Sequence, residues 1–293
     1  MNIIEKTINE NRPNISKSSL KTYESILRNL YINVFESNDY KLKNFDNDEM
    51  ILNYLKGLPV NKRKTILSAL VVITDNKQYR DQMLDDIKEY NKNTNKQEKT
   101  EAQNENWVNN EDIMKIHDVL KKHANLLYKK DMLTMHDLQE IENYIILVLL
   151  GGIYIPPRRS KDFVDFKISN IDKDKDNYFD GTSFIFNSYK TAKTYGQQKV
   201  LIPKDLKPIL KKWLKYNPTE YLLFDSYNNK LSNVKLNQRL QKIFGKKVGV
   251  NGLRHTYLSE KYGDLIDTKS KLAKDMSDMG SSINMETQYI KKA

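Results

Sequence analysis

The chain has 293 residues, 39% of them hydrophobic, and Lys+Arg outnumber Asp+Glu by 49 to 38, for a formal charge of +11. That length suits two domains of ordinary size. The positive excess favours a polyanionic partner, nucleic acid ahead of an anionic membrane, while a Lys- and Asn-rich composition supplies part of it. The lack of cysteine excludes disulfides, thiolate metal sites and cysteine nucleophiles. His117, His123, His136 and His255 form no pair in a zinc-site context, so no metal or other cofactor is expected. The longest apolar stretch, Tyr144 to Ile155, is too short for a bilayer, and the N-terminus has no apolar core of a signal peptide. A soluble, intracellular protein is expected, in no particular compartment.

In chain order, residues 1 to about 14 read as polar and loose. Ser19 is a candidate cap for a helix with Leu20, Tyr23, Ile26, Leu27, Leu30 and Tyr31 on one face. Asp48 opens a second helix, stopped by Gly57 and Pro59. Asn61 is placed to cap a third, and a fourth spans about Tyr79 to Tyr90. These predict a compact helical domain over 1–90. Asn91 to Asn106 carries a run, Asn91 to Lys99, with no apolar residue, and reads as a linker.

A second domain, 107–293, starts near Trp107, with a helix capped by Asn110 and another over about 137–150 that ends at Gly151-Gly152. The period then changes: Phe163 to Ile168, Ser183 to Asn187 and Lys199 to Ile202 read as strands, with a turn near Thr194-Tyr195-Gly196. Helical periodicity returns at 205–215, 232–243, 253–262 and 267–278, with a last short piece around Tyr289. The expected class is α+β, mostly α with one small antiparallel sheet.

Four segments carry chemistry: Pro156-Pro157-Arg158-Arg159-Ser160-Lys161-Asp162, Tyr189-Lys190-Thr191, Gly252-Leu253-Arg254-His255-Thr256-Tyr257, and the tail with Met279-Gly280-Ser281 and Tyr289. Guanidinium forks fit phosphate oxygens. A phenol, with its ordinary pKa near 10, attacks only where cations or a base help it. This order resembles the tyrosine recombinase/integrase family over nearly the whole chain, in wording closest to the divergent integrases of large DNA viruses and their mobile elements.

The resemblance implies a helical core-binding domain and a catalytic domain. It implies Arg159 (alternatively Arg158) and Arg254 as the phosphate-binding arginines, with Asp162 orienting the first. Lys190 is implied as the proton donor to the leaving 5′ oxygen, with Lys193 and Lys199 as competitors on the same ribbon. Tyr289 is implied as the nucleophile, and His255 as a buried structural residue. Two family histidine positions hold Asn251 and Ser281, which donate hydrogen bonds but do not shuttle protons near neutrality as imidazole does. The implied activity is site-specific cleavage and rejoining of double-stranded DNA through a 3′-phosphotyrosyl ester, without metal or ATP, by a homo-tetramer on synapsed DNA. A type IB topoisomerase-like enzyme and a weakened, integrase-derived DNA binder are the alternatives. Lys62, Arg63 and Lys64 are expected phosphate contacts of the first domain, and Lys291 and Lys292 are expected at the surface or on the DNA backbone.

Overall fold

The computed structural model describes residues 3–279. The chain divides into two compact units, one ending at Lys99 and one starting at Thr100.

The first unit is all helical. Its helices are α1 (Ile3–Asn11), α2 (Lys17–Phe35), α3 (Asp48–Lys56), α4 (Val60–Thr74) and α5 (Lys77–Thr94), with a 3-10 turn at Leu42–Asp46. The start expected to be loose is helix α1: Ile4 and Ile8, four residues apart on one face, are both fully buried. The cap of α2 is Ser16, whose hydroxyl accepts from Ser19 N–H, and α4 starts behind Pro59 rather than Asn61. Buried Tyr79 of α5 donates to the Phe45 carbonyl at 2.8 Å and so ties α5 to the 3-10 turn.

The expected linker is partly helical. α5 runs to Thr94, and α6 (Glu101–Asn106) starts the second unit. A capping box between Thr100 and Gln103 holds α6, so local polar hydrogen bonds replace the apolar face that the sequence lacks.

α7 (Asn110–Leu127) and α8 (Met135–Leu150) follow. α8 is the central post of this unit: Ile145 to Leu150 are all fully buried. The segment expected as a strand at 163–168 is divided: its first two residues end a helix, and only Phe166 and Lys167 form strand. α9 (Ser160–Val164) leads into β1 (Phe166–Lys167). Phe163 and Phe166, three apart, both enter the core, a spacing that suits a helical turn better than a strand.

β2 (Asn177–Phe179), β3 (Ser183–Phe186) and β4 (Gln198–Leu201) complete a four-stranded sheet in the order β1-β2-β3-β4. The sheet is mixed rather than purely antiparallel, because β1 pairs with β2 in parallel, Phe166 opposite Asn177. β3 and β4 form the expected antiparallel ribbon, Phe186 opposite Gln198, and its connection holds the single-turn α10 (Ala192–Tyr195).

α11 (Leu206–Tyr216), α12 (Asn233–Phe244) and α13 (Val250–Asp278) close the described chain. α12 packs on α8 and α9. Two helices were expected over 253–278; they are one 29-residue helix, within which Gly263 meets no neighbour. A single glycine costs about 1 kcal/mol of helix propensity, too little to break a helix of that length. The class is α+β, dominated by helix. Among the described residues, no helix is long and apolar enough to cross a membrane, and no cluster of His, Cys, Asp or Glu could hold a metal ion.

Candidate active site

The Pro156-Pro157 pair fixes an extended approach to α9. Arg159, the last extended residue (φ −66°, ψ 150°), caps the helix with its backbone, and Asp162 N–H donates to the Arg159 carbonyl at 3.0 Å. The backbone here is near polyproline, which turns successive side chains to different sides of the chain, and Arg158 and Arg159 meet different surroundings.

Arg158 is anchored. Its Nε donates to Asp162 Oδ2 and its Nη1 to Gln198 Oε1, each at 2.9 Å. Its guanidinium lies 3.9 Å from the Phe186 ring centroid and 5.3 Å from that of Tyr189. Arg159 is half-buried, and its guanidinium has no hydrogen bond or ion pair among the described residues.

Asp162 sits at the centre, 2% exposed, with Oδ1 buried and unpartnered among the described residues. Burial raises its pKa. Arg158, by charge and hydrogen bond, and then Arg159 and Arg254, by charge, pull it back. One carboxylate thus feels three guanidinium groups from two distant segments.

Arg254, near the start of α13, acts on Asp162 through its charge. Val250, Leu253 and Thr256 form the buried face of that helix, and Thr256 donates to the Val108 carbonyl at 2.7 Å. Asn251 and Arg254 lie on another face, where Arg254 Nη1 donates to Asn251 Oδ1 at 3.3 Å. His255 was expected to be buried and is exposed, because it falls between the core positions Leu253 and Thr256; it lines a cavity of about 260 Å3 beside α6 and Trp107.

Lys190 is exposed, with no hydrogen bond or ion pair among the described residues, in the β3–β4 connection just before α10. The backbone beside it is tied down. Fully buried Asn177 donates to the Asp162 carbonyl at 3.0 Å and the Ser188 carbonyl at 2.8 Å, and accepts from the Asn187 and Ser188 amides. Tyr189 Oη donates to the Gly196 carbonyl at 2.6 Å, across the connection. Of the competing lysines, Lys199 pairs with Asp180 at 3.2 Å and Lys193 is exposed on α10. Ser281, Tyr289, Lys291 and Lys292 lie outside the described residues.

Asn177 and Gln198 escaped sequence reasoning. Asn is uncommon in strands, and that oddity at 177 was the available signal; nothing marked Gln198.

In the first unit, Arg63 differs from the expected phosphate contact. Its Nε and Nη2 grip buried Asp86, with Nη2 to Oδ1 at 2.6 Å, so it ties α4 to α5. Hydrogen bonding to Asp86 raises its pKa, against the smaller effect of burial. Lys64 Nζ stands 3.0 Å from the Tyr90 ring centroid. Lys62 is exposed, on the rim of a groove of about 460 Å3 lined by Asn29, Asn33, Asn61 and Thr65.

No family model and no curated protein matches the sequence. Among solved structures, the chain is similar to XerA recombinase, at 12% identity and a TM-score of 0.35, over 88% of this chain and 82% of that one. It is also similar to XerH site-specific recombinase bound to difH substrate in a pre-cleavage complex, at 18% identity and a TM-score of 0.43, over 84% of this chain and 67% of that one. Likenesses at these values assign no residue and no activity; those readings rest on the side chains themselves.

Proposed function

We propose that the protein is a tyrosine recombinase-type DNA strand transferase acting on double-stranded DNA. The observation that supports this reading is that the Asp162 carboxylate, paired with Arg158, also lies within electrostatic reach of Arg159 and Arg254, with no hydrogen bond or ion pair on the Arg159 guanidinium among the described residues. Two cations held by stiff backbone suit the two non-bridging oxygens of a phosphodiester.

In this reading Tyr289 Oη attacks the scissile phosphorus in line. The Tyr–O–P bond to the 3′ side forms as the P–O5′ bond breaks; the phenol proton goes to solvent and Lys190 protonates the departing 5′ oxygen. Arg159 and Arg254 hold the charge on the non-bridging oxygens. The Asn251 amide group and the Ser281 hydroxyl add donors, and the Asp162 carboxylate acts on Arg159 and Arg254 through charge. A 5′-hydroxyl then reverses the step on the same or a partner strand. Tetrameric assembly on synapsed duplexes, Lys62 as a phosphate contact, and an origin in a virus or mobile element belong to the same proposal.

The test is covalent capture. Nicked duplexes of randomised sequence are incubated with the full chain, denatured in detergent and scored for DNA-linked protein. The expected result is an adduct that is absent in Tyr289→Phe. Tight binding with no adduct from the unsubstituted chain supports the weakened DNA binder instead. Relaxation of plasmid lacking any captured sequence supports the topoisomerase-like reading.

A further inference from the structure

Arg158 has no spare role in gripping phosphate, yet it is the most connected side chain near the site. It bonds Asp162 of α9 and Gln198 of β4, and it lies over Phe186 of β3 and Tyr189 of the connection. These partners belong to two bodies: the turn that carries Arg159, and the ribbon whose connection carries Lys190.

We propose that Arg158 is a positioning residue, a clasp that sets Lys190 relative to Arg159 by bridging Asp162 and Gln198. The proposal rests on the strand-transferase reading. A lysine that protonates a leaving oxygen must reach it within hydrogen-bond distance, and a displacement of about 1 Å in such a group costs on the order of 10²-fold. An exposed lysine in the connection between β3 and the edge strand β4 has no such precision of its own. Here its backbone is fixed at Ser188 by Asn177 and across the connection by Tyr189 and Gly196. Asn177 bonds the ribbon to the main chain of α9; Arg158 adds the side-chain link at β4. Cutting the Arg158–Gln198 bond therefore loosens the ribbon without detaching it.

The test uses the duplex captured by the unsubstituted chain, made in two forms. One has the ordinary scissile phosphodiester, the other a sulfur in place of the bridging 5′ oxygen. A thiolate leaves without a proton donor, so loss of the donor or of its placement is silent on the sulfur form. Gln198→Ala is expected to slow adduct formation about 10-fold or more on the oxygen form and less than about 3-fold on the sulfur form, the pattern expected of Lys190→Ala. Gln198→Glu, which keeps an acceptor for Arg158, is expected to restore the oxygen rate. Gln198→Ala added to Lys190→Ala is expected to cause no further loss. Equal slowing on both forms, or no slowing at all, overturns the clasp. Failure of the parent reading is distinct: the unsubstituted chain then gives no adduct with either form, and the clasp falls with it.

Discussion

Replacing Arg158 and Arg159 one at a time separates a residue that holds the fold from one proposed to hold substrate. Arg158 is 17% exposed at its side chain and Asp162 is 3% exposed. Arg158→Ala leaves Asp162 with neither oxygen paired, since Oδ1 already lacks a partner among the described residues. Breaking a buried pair from one side costs about 3–5 kcal/mol. For a unit of this size that is a fall in Tm on the order of 10 °C. The fall depends on pH. Burial already raises the Asp162 pKa, and loss of Arg158 raises it further. Its protonated form is then favoured by folding, so the variant is least impaired below the ordinary carboxylate range and loses stability as pH rises through the raised value. Arg159→Ala breaks no hydrogen bond or ion pair among the described residues, so its stability change is expected within about 0.5 kcal/mol. Its adduct rate is expected to fall about 10²–10³-fold, the loss of one transition-state donor. Thermal denaturation of both variants at pH 5 and pH 8, beside the covalent capture assay, reads all four quantities. The reasoning is refuted if Arg159→Ala melts as early as Arg158→Ala, or if it forms adduct at the unsubstituted rate.

Burial pushes fully buried Glu142 up to about 7, against the pull of Arg239. Folding then favours its protonated form, so this group's stabilisation, up to about 3 kcal/mol, is lost as pH rises from the ordinary carboxylate value to about 7; denaturation curves of Glu142→Gln are expected to lack that slope. Asp86→Ala leaves Arg63 with only the half-exposed Glu89 at 3.8 Å and the Leu58 carbonyl, and is expected to cost the first unit about 3 kcal/mol in urea denaturation. Lys62→Ala is expected to leave that stability unchanged and to reduce the slope of log affinity against log salt by about 0.9, as one lost phosphate contact predicts. Gly152 has φ +77°, and a Cβ there falls 2.7 Å from Tyr257 Cδ2. Gly152→Ala is expected to cost about 1–3 kcal/mol by calorimetry, since left-handed strain and a ring displacement near Arg254 add together.

The helices were legible where an apolar stripe is long or a stop signal is clear. Leu27, Leu30, Tyr31 and Val34 mark the buried face of α2, and Gly57 and Gly151 close α3 and α8 where expected. Helices with little or no apolar stripe were not legible. α1 shows two buried isoleucines among polar residues, and α6 has no buried residue and is held by a capping box and by Asn106, whose side-chain oxygen accepts from Lys247 N–H. The misread strand at 163–168 has a general cause: a short apolar run fits helix and strand alike until tertiary packing chooses. The parallel β1–β2 pair was hidden because β2 begins with Asn177, whose side chain is spent on the main chains of α9 and the β3–β4 connection.

Two adjacent arginines stand open for the first position of the candidate site, and the structure gives them different surroundings. The backbone at Arg159 is near polyproline, φ −66° and ψ 150°, so a shift of one position turns a side chain to a different side of the chain. Arg158 and Arg159 are the same residue type in the same motif, so local sequence offers nothing to choose between them. The choice comes from what lies on each face. On one are the Phe186 ring, the Gln198 amide and a carboxylate oxygen, which together consume a guanidinium. On the other the Arg159 guanidinium finds no partner among the described residues, while its charge still reaches Asp162. A side chain already paired and stacked must break those contacts before it can bind a phosphate. An unpaired guanidinium held half-buried by stiff backbone has no such cost to meet, and its capacity for a bidentate anion is intact. That difference makes Arg159 the stronger candidate for substrate and gives Arg158 the task of holding the frame.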